Sequence, residues 1–158
     1  MAYVLGIDFD QDVLRGALIR TRLGRTEYVS FLEVPVEPLI DEGGADIGTE
    51  SALRELTALC PRPPDSTIGC ISGTAASLRV VDLPAIAAKK ASAILPFELE
   101  ALVPFALEDT VIDHQLVERT EAHLKLLAAA VPEDRLIDEI VRYEAAEIQL
   151  QEIAVGAA

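Results

Sequence analysis

The sequence predicts a mixed α+β fold made of two small pieces. Three observations lead there. Short apolar runs rich in β-branched residues alternate with polar turns over the first third of the chain. A few stretches instead space their apolar residues three and four apart, the period of a helix. The two kinds of segment fall in the order β-β-β-α-β-β, then α-α-β-β-α-β, which suits neither an all-helical bundle nor a β-sandwich.

Tyr3 to Phe9 is an apolar run of strand length. The acidic turn Asp10-Gln11-Asp12 follows, and Val13 to Thr21 reads as a second strand. Gly24 marks the next turn before a third strand, Thr26 to Val34, so the first three strands form an antiparallel meander. Pro35 to Gly48 is a loop. Thr49 is expected to cap a helix running to about Leu59, with Leu53, Leu56, Leu59 and Cys60 on its apolar side. Pro61, Pro63 and Pro64 stop it. Ser66 to Ser72 and Ser77 to Leu83 are the fourth and fifth strands.

Pro84 is expected to start a helix ending near Leu95. The next stretch carries two Pro-Phe steps, Pro96-Phe97 and Pro104-Phe105. Leu95, Leu99, Leu102 and Val103 lie between them at helical spacing, with Glu98 and Glu100 off that face. The spacing predicts a second short helix, with Pro96 in its first turn and Pro104 as its stop. Val111 to Arg119 and Leu124 to Val131 read as strands. Pro132 opens a helix to about Ala146, with Leu136, Ile137, Ile140 and Val141 inward and Glu133, Asp134, Asp138 and Glu139 outward. Ile148 to Val155 is a last, returning strand. The division read from this order is residues 1–83 and residues 84–158.

Composition narrows the function. The formal net charge is −14. A chain this acidic repels nucleic acid and anionic lipid, and favours a basic protein surface. No apolar run reaches the roughly 18 residues that would suggest a spanning helix, so no direct membrane insertion is expected of this segment. Cys60 and Cys70 have neither zinc-site spacing nor the density of a disulfide framework, which fits a reduced, cytoplasmic setting. His114 and His123 have no metal-ligand spacing. There is no Gly-x-Gly-x-x-Gly and no Walker-type loop, and no nucleophile–base pair stands out. No catalytic or metal-ligating residue is therefore assigned.

The acidic turn is the segment that invites chemistry. Asp8, Asp10 and Asp12 alternate as in a calcium loop, but Val13 and Ile19 stand where that loop needs glycine and glutamate. A strand ending in Asp8-Phe9-Asp10 is also similar to the nucleophile strand of haloacid-dehalogenase-like phosphatases. That family wants threonine or valine where this chain has Asp12, and a loop and cap or helix where it has an alternating strand.

Taken together, several segments resemble one superfamily. They are Gly6-Ile7-Asp8 with Val13-Leu14-Arg15-Gly16, Leu83-Pro84, Leu95 to Glu100, Val103-Pro104-Phe105, Ile112 to Gln115, and Leu126 to Val131. Their order is similar to the first half of an actin-like ATPase. More narrowly, it is similar to the bacterial assembly-platform proteins of that superfamily, the L component of type II secretion and the M component of type IV pili. The resemblance implies an actin-like, RNase H-like subdomain with a mixed sheet, followed by a small inserted α+β subdomain.

In nucleotide-binding members of the superfamily the first hairpin is a phosphate loop, Asp-x-Gly-[Ser/Thr], often followed by a lysine. Here Asp8 matches, but Asp10 replaces the glycine, Gln11 the hydroxyl residue and Arg15 the lysine. The charge of Asp10 near a phosphate oxygen costs about 1 kcal/mol in water and about 4 at an effective dielectric of 20. The loop is degenerate, and the chain would carry only one half of a nucleotide clamp. No cofactor is expected, with ATP and magnesium reserved for a longer protein.

The implied role is a non-catalytic cytoplasmic scaffold, peripheral to the bacterial inner membrane. Its implied partner is an assembly ATPase or the cytoplasmic tail of a membrane component, and a homodimer is compatible with both. The candidate contact residues are Phe97, Glu98, Phe105, Glu108, Asp109, Glu133, Asp138 and Glu139. The alternatives are an ATP-binding actin-like enzyme and the phosphatase.

Overall fold

The computed structural model describes residues 1–10 and 12–156. The chain divides into two compact units. The first contains Met1–Ile71 and Asp138–Gly156, and the second Ser72–Ile137.

In the first unit, β1 (Ala2–Asp10), β2 (Val13–Arg22) and β3 (Arg25–Pro35) form the expected meander. The β2–β3 turn is Leu23-Gly24, both with positive φ, the two-residue geometry whose twist matches that of the flanking strands. β4 (Ser66–Ile71) and β8 (Leu150–Val155) complete a five-stranded sheet of order β3-β2-β1-β4-β8. β1 pairs with β4, and β4 with β8, in parallel.

Alternate residues of this sheet point into one core. Leu5, Ile7, Leu14 and Leu18 meet Ala52, Leu53 and Leu56 of α1 (Gly48–Ala58), and Tyr143 and Ala146. Each such aliphatic side chain contributes about 1.5–3 kcal/mol by leaving water. Gly16 lets α1 approach, since a Cβ there would stand 2.8 Å from Cδ2 of Leu56. The start of α1 differs from expectation. Gly48, not Thr49, opens the helix, and the Asp46 carboxylate accepts from the N–H groups of Gly48 and Leu39. Asp46 thereby satisfies an orphan donor at the helix start, as a cap would. Leu59, expected on the apolar side, is exposed.

The second unit holds β5 (Ser77–Pro84), α2 (Ala91–Leu99), β6 (Thr110–Arg119) and β7 (His123–Pro132). Its antiparallel sheet has the order β5-β7-β6. The boundary read at residues 83/84 is therefore displaced. β5 pairs along its whole length with β7 rather than joining the first sheet, and β8 returns to β4. The core is Val81, Leu83, Leu124, Leu126 and Ala128 packed on Ala91, Leu95 and Leu99 of α2.

The two helices expected around the Pro-Phe steps resolve differently. Pro84 closes β5, Ala85–Lys90 form a 3₁₀ turn, and a single α-helix follows. Pro96 is the sixth residue of that helix, not a first-turn residue. Ala91, Leu95 and Leu99, four apart, form its buried stripe, while Leu102 is exposed. The helix ends at Leu99, five residues before Pro104, so that proline is not its stop.

α3 (Glu133–Ala145) forms where expected but presents another face. Ile137, Ile140 and Val141 are exposed, and the buried side chains are Glu139 and Tyr143, one turn apart. The sequence pattern favoured the aliphatic face. The shape of Tyr143, which buries a large ring against Gly69, outweighs it. The helix closes with Glu147 at φ 61 and with bonds from Ile148 N–H to the Tyr143 carbonyl and Glu147 N–H to the Glu144 carbonyl, a Schellman arrangement without glycine.

Two predictions follow from these helices. Pro96→Ala restores a backbone donor inside α2, where a proline at the first turn would have cost nothing. It should raise stability by about 1–3 kcal/mol in urea unfolding, and an unchanged or lower value would contradict the interior position. Glu139 has its carboxyl pushed up by burial, a shift partly offset by Arg142. Such an acid binds its proton more tightly when folded, so stability falls as pH rises from the ordinary carboxylate range through the raised value. Glu139→Gln should flatten that slope in melting curves taken between weakly acidic and neutral pH.

Candidate functional site

The hairpin of β1 and β2 sets the geometry of the acidic turn. Its register places Asp10 opposite Val13 and Asp8 opposite Arg15, and the β2–β3 register places Arg15 opposite Glu33. Cross-strand partners share a face, so Arg15 lies between two acids. Its Nη1 donates to Asp10 Oδ2 at 2.5 Å and its Nε to Glu33 Oε1 at 2.9 Å. Asp10 first, and Glu33 second, hold the guanidinium further into its charged form. All three side chains are well exposed, so solvent screening leaves each pair little weight in stability. Its consequence here is occupancy. The cation expected to face a phosphate is already engaged by two carboxylates.

Asp8 stands at the carboxyl end of β1, where open α/β sheets gather their ligands. Beside it is Cys70 of β4, whose thiol is pushed up to about 11, chiefly by burial and next by the charge of Asp8. A thiol so placed stays protonated at neutral pH and is no nucleophile. Gly156, just past β8, closes over the pair. A Cβ there would lie 2.7 Å from the Cys70 sulfur and 3.5 Å from Asp8 Oδ1. The Tyr143 hydroxyl is pushed up by burial first and by Glu139 second, so it is no base. An open, mostly apolar depression of about 330 Å³ adjoins these groups, with Gly6, Ala17, Phe31 and Ile68 on its walls.

Asp8, Asp10 and Arg15 are thus brought together, and Gln11 lies outside the described residues. Glu33 and Cys70 were missed. Glu33 was legible in principle, since the two hairpin turns put it across from Arg15. Cys70 was not, because its place depends on the parallel pairing of β1 with β4.

The candidate contact residues scatter. Phe97 is 76% exposed on α2 with Glu98 beside it, and Glu108, Asp109, Glu133 and Asp138 are exposed. Phe105 is half-buried on the wall of a cavity in the second unit. Glu139 is a correction. It is only 8% exposed and paired with Arg142 at 2.5 Å, so it cannot offer a free charge to a partner. Among the described residues there is no cluster of His, Cys, Asp or Glu fit to hold a metal ion. No helix among them is long and apolar enough to cross a membrane.

No family model and no curated protein matches the sequence. Solved structures do match the fold. One is described as the PilM–PilN type IV pilus biogenesis complex, 16% identical, with a TM-score of 0.78 over 96% of this chain and 47% of that one. Another is the cytoplasmic domain of EpsL, an inner-membrane component of the type II secretion system of Vibrio cholerae. It is 14% identical, with a TM-score of 0.63 over 97% of this chain and 57% of that one. The actin-like fold expected from the sequence is the fold of these two proteins, and the chain spans about half their length.

Proposed function

We propose that this chain is part of a non-catalytic scaffold in a type IV pilus or type II secretion assembly platform. The observation that carries the reading is the state of Arg15. In a phosphate-binding hairpin the cation must be available to the ligand. Here Asp10 and Glu33 both hold it, and Asp10 adds negative charge at the loop. The neutral Cys70 thiol and the neutral Tyr143 hydroxyl supply no alternative nucleophile or base. The same arrangement disfavours the phosphatase reading, which needs Asp8 and Asp10 to divide the roles of nucleophile and acid/base.

A scaffold acts by docking. The proposed partner is the cytoplasmic tail of a membrane component. One structure of the same fold is described as a complex with a second pilus protein, and that fold match is the stronger of the two. The assembly ATPase is the second candidate. Two exposed surfaces are available for docking. One is α2 around Phe97 and Glu98. The other is the aliphatic stripe Ile137, Ile140 and Val141 of α3, which the helix leaves in water. A stripe spaced three and four apart is what a helix presents to another helix or to a groove. Such a scaffold would lie on the cytoplasmic side of the inner membrane, held there by its partner.

Titration calorimetry with Mg-ATP at millimolar concentration should give no saturable heat, and saturation lost on Asp8→Ala would establish the nucleotide-binding alternative. In parallel, the chain is titrated with the cytoplasmic peptide of the pilus partner and with the N-terminal domain of the secretion ATPase. Saturation with the peptide, weakened about tenfold or more by Ile140→Asp or Phe97→Ala, is the expected outcome. Saturation with the ATPase domain alone would move the assignment to secretion. Silence with both, from a folded chain, would count against docking by this part of the scaffold.

A further inference from the structure

The second unit carries a cavity of about 540 Å³ that has no part in the site above. Its size falls within the roughly 300–1,000 Å³ of small-molecule sites. Two of its walls are the arginines Arg79 and Arg135. In a chain with 27 acids and 13 lysines and arginines, a pair of arginines on one cavity is an uncommon concentration of positive charge. Neither makes an ion pair among the described residues, in contrast to Arg15, Arg20, Lys125 and Arg142. Arg79 donates from Nε to the Leu102 carbonyl at 2.9 Å and from Nη1 to the Leu78 carbonyl at 2.8 Å. Those partners are neutral and fix the fork without cancelling its charge, leaving three of its five N–H groups for a ligand.

A second, independent feature belongs to the lining of the same cavity. Ser77 is only 6% exposed, and its Oγ is buried without a hydrogen-bond partner. A buried hydroxyl left unpaired is a cost to the fold that a ligand acceptor would relieve. Thr74, whose hydroxyl bonds to Ser72 Oγ at 2.8 Å, adds a further polar group. The N-terminus of α3 is not the anchor. The Glu133 N–H is taken by the Asp109 carbonyl and the Arg135 N–H by the Asp134 carboxylate. Pro104 and Phe105 give the cavity an apolar side.

We propose that this cavity binds a phosphate monoester of a small molecule with an aromatic or apolar body. Its phosphoryl group lies on Arg79 and Arg135, and its body on Pro104 and Phe105. Two guanidinium groups match a dianion, whereas a carboxylate would leave one positive charge uncompensated. The overall negative charge of the chain does not forbid this. Glu133, Asp134 and Asp138 flank Arg135 on α3, but none is ion-paired with it among the described residues, and acids beyond about 8 Å are screened at physiological ionic strength.

The test is an NMR chemical-shift titration of the whole chain with phenyl phosphate, inorganic phosphate and benzoate at constant ionic strength. Phenyl phosphate should saturate in the millimolar range or below, more tightly than either of the others, with shifts centred on Ser77, Arg79 and Arg135. Arg135→Ala and, separately, Arg79→Met should each weaken it about tenfold or more. Arg135 is an exposed helix residue, so that variant stays folded if Arg79→Met does not. Ser77→Ala should weaken binding while raising Tm by a few degrees, because it removes an unpaired buried hydroxyl. A purely structural serine would lower Tm instead. No saturation at tens of millimolar, benzoate as tight as phenyl phosphate, or affinity unchanged in both arginine variants would overturn the proposal.

Discussion

The constraint on which the architecture depends is the parallel pairing of β4 with β8. Antiparallel neighbours can be joined by a two-residue turn, but parallel neighbours need a crossover from one end of the sheet to the other. β1 and β4 meet that requirement with a loop and α1. β4 and β8 meet it with the whole second unit, followed by α3. The second unit can therefore keep its own sheet and its own core without disturbing the first, provided that the chain leaves after Ile71 and returns by Asp138. Its two edges, β5 and β6, pair only with β7, which makes it a closed excursion.

The return also fixes the surroundings of the acidic hairpin. β8 delivers Gly156 over Cys70 and Asp8, and only a residue without a side chain fits there. α3 delivers Tyr143 against Gly69 and into the core below the same strands. Burial raises the thiol, the phenol and Glu139 together; the Cys70 thiol and the Tyr143 hydroxyl are neutral at neutral pH, and Glu139 pairs with Arg142. Three features surround the segment Asp8-Phe9-Asp10. Arg15 is engaged by Asp10 and Glu33, the Cys70 thiol is neutral, and Gly156 lies over Asp8 and Cys70.

Much of the fold was legible in the sequence because the meander is local. Period-two alternation and the Asp10–Asp12 and Gly24 turns placed the first three strands within a residue or two. What was not legible depended on tertiary choice. β5 reads as a strand, but nothing in Ser77–Leu83 says which sheet it joins. That is decided by the Val81 and Leu83 side chains facing Leu124 and Leu126. Pro96 reads as a helix start because proline is usually a boundary, and here the stripe of Ala91, Leu95 and Leu99 carries the helix through it. α3 was located correctly and turned the wrong way, since Tyr143 contributes more to the core than Ile137 or Val141 would. The acidic hairpin was legible for the same reason as the meander, and the partner of its arginine, Glu33, follows from the register of two turns.

The arginines of the two units are held in different ways. Arg15 and Arg20 in the meander, and Arg142 in α3, each face a carboxylate, and such pairs on a half-exposed surface fix local geometry rather than recruit ligands. Arg79 is held differently. Carbonyls hold its fork and leave its charge unspent, while Arg135 lines the same cavity with no acid paired to it among the described residues. An acidic chain gains nothing in solubility from two uncompensated arginines around a cavity. Nor does a core gain anything from the unpaired Ser77 hydroxyl in the lining of that cavity. Local departures of this kind, against the trend of both charge and hydrogen bonding, are where a folded chain departs from its own stability for the sake of something it meets. The first unit engages its hairpin arginine with its own carboxylates, and the second leaves both arginines of its cavity without an acid partner among the described residues.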